Sequence, residues 1–349
     1  MIEKLFGEAF AKNASDIHLT VGVPPILRIN GNLVKLDSFE RLKPDDTKSI
    51  AMSLLSDAQK EIFEEKGEID FSYSLQTRGR FRINAYKQRG SISIAIRPIP
   101  LETPKLEDLM LPEILKDMAM MDRGLFLVTG PTGSGKSSTL ASMISYINSH
   151  KTAHIITLED PIEFLHKHKS SIIDQREIGT DSLSFSNALR GALRQDPDII
   201  LVGEMRDLET IQIAITAAET GHLVLSSLHT NGAASTVERI IDVFPSPQQQ
   251  QIKVQLANVL NGVISQQLLK YADNHGRVVA CEIMIGNKAV RNNIREGKTH
   301  QIMSSIQTGS ADGMISMDNY IVSLYKKNLI SYDEALSHCI EKNSFNIYR

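Results

Sequence analysis

The chain of 349 residues has only two cysteines, Cys281 and Cys339, and no tryptophan. Two cysteines this far apart cannot build a four-cysteine zinc site or a disulfide framework, so we expect a reduced, cytoplasmic protein. No stretch approaches the roughly eighteen apolar residues of a membrane-spanning helix. The N-terminus carries Glu3, Glu8 and Asp16 and has no long apolar centre, which argues against a secretory signal.

The chain has no net positive charge, and aromatic side chains are scarce. The formal net charge is -3, and aromatic residues make up 5% of the chain. Surfaces that bind nucleic acid combine basic patches with stacking aromatic rings, so no nucleic-acid partner is expected. With 42% hydrophobic and 23% charged residues, the composition is that of a globular protein, and the length predicts about two domains.

The most informative stretch is 130–137, which fits the pattern G-x-x-x-x-G-K-[ST]. An apolar run at 125–129 precedes it and a helix-like segment follows, as in a phosphate-binding loop. Glycines let backbone N–H groups turn toward phosphate oxygens, Lys136 reaches the β- and γ-phosphates, and the Ser137 hydroxyl ligates Mg²⁺. The sequence therefore predicts a nucleoside triphosphate bound by Gly130, Thr132, Gly133, Ser134, Gly135, Lys136, Ser137 and Ser138.

After this loop, apolar strands alternate with helices, which predicts a parallel α/β sheet. Predicted strands at 154–158 and 198–202 end in acidic residues, and ligands bind beyond the carboxyl ends of such strands. Glu204 is the candidate to polarise the attacking water. After the predicted strand at 154–158 come three acidic residues: Glu159, Asp160 and Glu163. They are candidates to hold Mg²⁺ through water or to orient the nucleophile, although acidic residues at such positions also form turns.

Two histidines flank the next predicted strand. His222 and His229 are seven residues apart, an odd separation that puts them on opposite faces of a regular strand. Joint metal ligation is therefore not expected. We predict that one of them senses the γ-phosphate and that the other is structural, and the spacing does not say which.

Residues 1–97 are predicted to form a small α+β unit, with a hairpin at 26–36, a helix at 44–66 and three alternating strands. Arg80, Arg82 and Arg97 lie on the polar side of those strands. On spacing alone they fit equally a solvated face and a contact to a phosphate held by another domain or subunit.

The remaining segments carry no catalytic pattern. Prolines mark 98–118 as a semi-rigid linker. A helix is predicted at 182–195, and a capping box at Ser331 begins a last helix. From Gln248 a long helical stripe is predicted, formed by Ile252, Leu256, Val259, Leu260, Val263, Ile264 and Leu268.

Taken together, the motifs resemble those of the secretion ATPases (type II/IV secretion system protein E), and within them the type IV pilus retraction ATPases of the PilT type. The resemblance covers essentially the whole chain. It rests on ASDIHL (14–19), GPTGSGKSS (130–138), ITLEDPIE (156–163), RQDPDIILVGEMRD (194–207), TAAETGHLVLSSLHT (216–230) and RIIDVFP (239–245). The family's Walker B motif matches at Glu204 and its histidine box at His222 and His229.

The resemblance implies an α/β fold with a PAS-like domain at 1–97, the linker at 98–118 and a RecA-like ATPase domain at 119–349 that ends in helices from about 287. It also implies ATP with Mg²⁺, held by Ser137 and, through water, by Glu159 and Glu204. The expected assembly is a homohexamer, in which Arg82 and Arg97, with Arg80 behind them, approach ATP of the neighbouring subunit. Its expected place is the cytoplasmic face of the inner membrane, on a pilus platform protein, where it drives pilus retraction and twitching motility.

Several alternatives stay open at this point. The segment 289–296 reads AVRNNIRE where the retraction branch has AIRNLIRE, so Asn293 places an amide on an expected apolar stripe and leaves an accessory role open. An extension-type ATPase is a further alternative, although two cysteines and a short N-terminus speak against it. A RecA-like nucleic-acid translocase and a nucleotide-gated scaffold are the remaining alternatives.

Overall fold

The computed structural model describes residues 2–29, 31–75, 79–99, 102–273 and 275–342. Asn30 of the predicted hairpin, residues 100 and 101 of the predicted linker, and 343–349 of the predicted C-terminal segment lie outside the described residues. The chain divides into two compact units: Met1–Glu102 with Glu163–Leu165, and Thr103–Ile162 with His166–Arg349.

The first unit is a six-stranded sheet with helices. In chain order its elements are α1 (Ile2–Ala11), β1 (Asp16–Leu19), β2 (Ile26–Ile29), β3 (Asn32–Lys35), α2 (Pro44–Leu54), α3 (Asp57–Lys66), β4 (Glu68–Leu75), β5 (Gly79–Gln88) and β6 (Ser91–Ile99). The strands lie in the order β3-β2-β1-β6-β5-β4, and neighbouring strands are antiparallel. The stacked rings of Phe6 and Phe81, 3.9 Å between centroids, tie α1 to the buried face of the sheet.

The predicted single helix at 44–66 is wrong, because the structure has two helices there. Helix α2 ends at Leu54, and Ser56 caps the start of α3 by accepting a hydrogen bond from the backbone N–H of Gln59. The Gln59 side chain in return accepts from the backbone N–H of Ser56 at 2.9 Å. This reciprocal capping favours a new helix start over continuation of the first helix.

The second unit is a seven-stranded sheet between two layers of helices, with a buried hydrophobic cluster on each face. Its first elements are α4 (Ile114–Ala119), β7 (Gly124–Thr129), α5 (Lys136–His150), β8 (His154–Glu159), β9 (Ile172–Glu177), α6 (Phe185–Ala192), β10 (Ile199–Val202), α7 (Leu208–Glu219), β11 (Leu223–Leu228) and α8 (Ala233–Asp242). The later ones are α9 (Ser246–Val259), β12 (Leu260–Lys270), β13 (Arg277–Ile285), α10 (Lys288–Arg295), α11 (Ile302–Thr308), α12 (Met317–Lys326) and α13 (Tyr332–His338).

The strands follow the order β13-β12-β7-β11-β10-β8-β9, parallel except for the edge strand β13. The predicted α/β class is thus confirmed. The parallel arrangement brings the carboxyl ends of β7, β8, β10 and β11 to one edge of the sheet, which is where the predicted site residues follow the strands.

Two further boundaries differ from the predictions. The helix expected at 182–195 is shorter, since Ser184 caps α6 by accepting from the backbone N–H of Asn187. The helical stripe expected from Gln248 is wrong beyond Val259, where the chain turns into β12. Both faces of β12 are covered, so consecutive apolar residues such as Val263 and Ile264 are buried. A strand buried on both faces cannot be told from a buried helix by the spacing of its apolar residues, which explains the wrong prediction.

Candidate nucleotide-binding site

The predicted phosphate-binding loop connects β7 to α5. Gly130, Gly133 and Gly135 have φ angles of 140°, 81° and 93°, a region that glycine adopts without strain. A Cβ atom on Gly130 would come within 2.3 Å of the carbonyl oxygen of Gln266, so no larger residue fits there. Gly135 is the N-cap of α5, and with no capping side chain the first N–H groups of this helix are available to an anion.

Lys136 lies folded over this loop. Its Nζ donates to the carbonyl oxygens of Gly130 at 2.9 Å and Pro131 at 3.0 Å. A lysine held by two carbonyl groups can exchange them for phosphate oxygens, which carry full charge. The structure also brings together in the loop the other predicted nucleotide-binding residues: Thr132, Gly133 and Ser137 are exposed, Ser138 is half-buried, and Ser134 is buried.

Glu204 is the second residue after the end of β10, where the predicted Walker B motif places it. Gly203 allows this position, because a Cβ atom on it would lie 3.2 Å from the carbonyl oxygen of Leu158 on the neighbouring strand. The Glu204 side chain is only 12% exposed. Its carboxylate is paired with Arg206 through one oxygen and lies 3.2 Å from Nε2 of His229 through the other.

The imidazole of His229 lies between Glu204 and Lys136. Its Nδ1 is 3.5 Å from Nζ of Lys136, and its Nε2 is 3.2 Å from Oε2 of Glu204. Lysine can only donate and a carboxylate can only accept, so these neighbours fit the neutral tautomer with the proton on Nε2. The structure thus connects Lys136 of the glycine loop to Glu204 at the neighbouring strand end through a single ring.

Glu159 is the last residue of β8, and two neighbouring side chains hydrogen-bond to it. Its Oε1 accepts a hydrogen bond from the Thr157 hydroxyl at 2.6 Å and another from Nε2 of Gln175 at 3.2 Å. These two hydrogen bonds orient the carboxylate at the end of β8. Glu163 is placed differently, since the segment Glu163–Leu165 groups with the first unit.

The structure does not bring His222 to this edge of the second unit. His222 precedes β11, and its Nδ1 lies 2.9 Å from the carbonyl oxygen of Ala217 and 3.2 Å from the hydroxyl of Thr220. At about 3.3 Å per residue, the strand separates it from His229 by roughly 20 Å. Within this chain, His229 is therefore the histidine that lies next to the phosphate-binding loop.

The predicted arginines lie on one face of the sheet of the first unit. Arg82 and Arg97 are directly opposite each other on β5 and β6. Arg82 forms a two-pronged ion pair with Asp70, with a shortest distance of 2.6 Å, and Arg97 pairs with Asp16 at 2.9 Å. Their side chains are still 40% and 64% exposed, so both guanidinium groups face solvent from fixed positions. Arg80 donates to the Ser74 hydroxyl at 3.5 Å.

A cavity of about 360 Å³ adjoins the phosphate-binding loop, and no motif in the sequence indicates it. Its lining includes Ser138, Thr139, Gln266, Leu268, Tyr271 and Arg277. The last four come from β12, from β13 and from the turn between them, and of these only Gln266 and Leu268 fall in the predicted helical stripe. The volume is typical of small-molecule sites, and the lining mixes apolar and polar groups as those sites do.

Fold and site together define a P-loop ATPase: a glycine loop that opens a helix, a lysine on that loop, and an acidic residue at a neighbouring strand end. A family model described as "Type II/IV secretion system protein" matches residues 1–323. None of the helices in the described part of the chain is long and apolar enough to cross a membrane.

Known proteins agree with this class. The chain is 47% identical to the type IV pilus retraction ATPase PilT of Pseudomonas aeruginosa, over 96% of both chains. It is 49% identical to a twitching motility protein of Neisseria gonorrhoeae, over 89% of this chain and 83% of that one. A crystal structure of the pilus retraction motor PilT with bound ADP superposes with a TM-score of 0.92 and 48% identity, covering 98% of this chain and 97% of that chain. The chain therefore belongs to the type II/IV secretion system protein family, among its PilT-type ATPases.

Proposed function

We propose that this ATPase is the retraction motor of a type IV pilus and that it turns ATP hydrolysis into disassembly of the pilus, and so into twitching motility. The observation that carries the proposal is the Glu204–His229–Lys136 arrangement at the phosphate-binding loop. It occurs in a chain that matches retraction ATPases over nearly its whole length.

The residues of the loop suit the substrate ATP. Phosphoryl transfer needs positioning and charge stabilisation more than covalent help from the protein. Lys136 exchanges the carbonyl oxygens of Gly130 and Pro131 for the β- and γ-phosphates, and the N–H groups at the start of α5 bind the same phosphates. Glu204, at the end of a buried strand, polarises the water that attacks the γ-phosphate. His229 reports the state of the γ-phosphate to Glu204, because its ring lies between Glu204 and the ammonium group of Lys136.

The donor set also fits Mg²⁺, which prefers oxygen ligands and keeps several waters. Ser137 offers an exposed hydroxyl on the first turn of α5, and the carboxylates of Glu159 and Glu204 are acceptors for metal-bound water. When bound, the ion neutralises charge on the phosphate oxygens. The chain's own contribution is to hold two of these oxygen donors at strand ends and the third at the start of α5, at one edge of the sheet.

The cavity beside the loop takes the base and sugar of the nucleotide. Ser138 and Thr139 of α5 line it on one side, and Leu268 and Tyr271 on another. An aromatic ring and an aliphatic side chain suit the faces of a purine. Arg277 adds a cation at the rim, where it can pair with polar groups of the nucleotide.

We further propose a homohexamer on an inner-membrane platform protein, at the cytoplasmic face of that membrane. Arg82 and Arg97 then serve ATP bound to a neighbouring subunit, where their guanidinium groups stabilise the developing charge. Asp70 and Asp16 support this role by holding the two side chains in fixed positions until phosphate competes for them.

One observation favours an accessory motor as the second candidate. Asn293 replaces the leucine of the retraction motif, and an amide on an apolar stripe changes how that helix packs. Its side chain is 9% exposed and donates to the hydroxyl of Ser305 at 3.0 Å. Because this bond satisfies the amide between α10 and α11, the substitution is accommodated and the retraction motor remains the preferred candidate.

Deletion of the gene in its own host tests the proposal. A retraction motor predicts surface pili without twitching, restored by the wild-type chain and by the exposed-surface variant Glu209→Gln but not by Glu204→Gln. Loss of surface pili would instead indicate an extension motor. Unchanged twitching would indicate an accessory role.

A further inference from the structure

The loop that follows His229 is held from behind by a cross-strand pair of side chains. The backbone N–H of Gly232 donates to the hydroxyl of Ser265 at 2.9 Å, and that of Ala233 donates to Oε1 of Glu282 at 2.8 Å. Ser265 and Glu282 are directly opposite each other on β12 and β13. Two successive peptide groups just after the histidine are therefore fixed to the sheet.

Glu282 is a buried carboxylate with an unusual set of partners. It is 1% exposed, and the backbone N–H of Met317 also donates to it. Ala233 and Met317 are the first residues of α8 and α12, so the carboxylate joins the N-termini of two helices. Burial, with a smaller contribution from the nearby Asp318 carboxylate, raises the pKa of Glu282 above its ordinary value, and these two donors offset this only in part. The positive ends of two helices favour the charged form of the group.

The loop approaches this carboxylate very closely. Gly232 has a φ angle of 92°, and a Cβ atom on it would lie 3.4 Å from Oε1 of Glu282. The hydroxyl of Thr236 donates to the carbonyl oxygen of Gly232 at 2.7 Å and lies 2.7 Å from the hydroxyl of Thr230. Residues 230–236 are thus tied to the sheet and to each other, and His229 is the first residue before this braced segment.

We propose that Glu282 is a positioning residue for His229: it fixes the loop at residues 230–233 and thereby sets the distances from the imidazole to Glu204 and Lys136. The inference rests on the role proposed above for His229. Displacements near 1 Å at a catalytic group reduce rates by up to about a hundredfold, so a rigid support behind the loop has a measurable effect on turnover.

The test is a double-mutant cycle on ATP turnover with Glu282→Gln, His229→Ala and the double variant, in the full-length chain. Glutamine keeps the shape and one acceptor oxygen but turns an amide N–H₂ toward a backbone donor. We expect Glu282→Gln to lower kcat about tenfold with KM for ATP within about twofold, since the loss is in the transition state. In the His229→Ala background the same change should have no further effect, because the two residues act in series.

Matched controls separate positioning from stability. Ser316→Ala removes the hydroxyl that caps α12 by accepting from Asn319, so it weakens the same helix without touching the loop. It should lower the melting temperature and leave kcat unchanged. Ser265→Ala removes the second anchor of the loop and should lower kcat by about threefold. This second variant keeps the test available if Glu282→Gln does not fold.

Three results would overturn the inference. Full turnover in Glu282→Gln or, if that variant does not fold, in Ser265→Ala would show that the anchors do not matter. Independent losses in Glu282→Gln and His229→Ala that multiply in the double variant would show that Glu282 does not act through the histidine. Full turnover in His229→Ala would remove the proposed role of His229 itself, and with it this inference. The single variants therefore distinguish failure of the site assignment from failure of the positioning role.

Discussion

Nε2 of His229 lies 3.2 Å from a carboxylate oxygen of Glu204, although 25 residues separate them in the chain. Neighbouring parallel strands produce this contact, because Glu204 follows β10 and His229 follows β11. The opposite nitrogen of the ring faces Lys136. A change at the phosphate-binding loop therefore reaches the acidic residue through one side chain.

Replacing Glu204 by glutamine should stop turnover without removing the nucleotide. Glutamine preserves size but not the negative charge that polarises water, so kcat should fall at least about a hundredfold. Binding of a fluorescent ADP analogue should stay within about threefold. Glu209→Gln is the control, because Glu209 is an exposed residue of α7 paired with Arg190. Normal turnover in Glu204→Gln would contradict the assignment.

Replacing Gly130 by alanine should weaken nucleotide binding. The new Cβ would meet the carbonyl oxygen of Gln266 at 2.3 Å, and the φ angle of 140° disfavours any side chain. The loop must move away from β12, so we expect ADP affinity to fall about tenfold or more in calorimetric titration. Gly22→Ala is the control, because Gly22 also has positive φ, of 91°, but no atom within 4 Å of its Cβ position. Equal effects of both changes on affinity would refute the explanation.

The proposed role of the arginines in trans predicts complementation between defective subunits. Arg82→Ala and Arg97→Ala should each bind ADP normally and lose about a thousandfold in turnover, the usual magnitude for an arginine that stabilises a phosphoryl transition state. Mixing Arg82→Ala with Glu204→Gln chains should restore activity, because some interfaces then combine two intact halves. Activity that stays at the level of the inactive parents would place the arginine and its ATP in the same chain.

A nucleotide base in the cavity beside the loop predicts that Tyr271 distinguishes ATP from a bare triphosphate. Tyr271→Ala removes most of an aromatic face and should weaken ATP binding about tenfold, while affinity for inorganic tripolyphosphate stays unchanged. Tyr271→Phe removes only the hydroxyl, which lies 3.3 Å from the sulfur of Met110, and should have little effect. An equal loss for both ligands would argue against a base at this place.

Stability should depend on pH through His154. Burial lowers the pKa of His154, but hydrogen bonds to Asp174 and to the backbone raise it to a net value above the ordinary one. The folded protein then holds the proton more tightly than the unfolded chain. This contribution is present below about pH 6.5 and is lost as the pH rises through the folded-state pKa.

The variant Asp174→Asn isolates that contribution. In the wild-type chain, Nε2 of His154 lies 3.0 Å from the carboxylate of Asp174. Asparagine carries no charge, so the variant loses the attraction for the protonated imidazole ring. Urea unfolding should show a larger destabilisation at pH 5.5 than at pH 8. The same destabilisation at both values would mean that the proton on His154 plays no part.

The linear sequence determined those parts of the protein that depend on local pattern. Residues 130–137 are contiguous, and glycines followed by Lys136 and Ser137 in this order are typical of a phosphate-binding loop. The parallel sheet follows from alternating strands and helices, and a parallel sheet places residues after successive strands at one edge. Glu159, Glu204 and the pair His222 and His229 could therefore be predicted from the sequence as candidate site residues, although the spacing did not say which histidine lies at the loop.

Only the tertiary structure decided the features that depend on packing between distant segments. Residues 260–270 show a helical spacing of apolar side chains, but burial on both faces makes them a strand, and this strand lines the cavity beside the loop. His222 and His229 belong to one motif, yet an extended strand puts them at opposite ends. Glu282 carries no local signal, because its partners are backbone N–H groups at residues 233 and 317. Such contacts depend on where the helix N-termini pack against the sheet, and a short stretch of sequence carries no information about that packing.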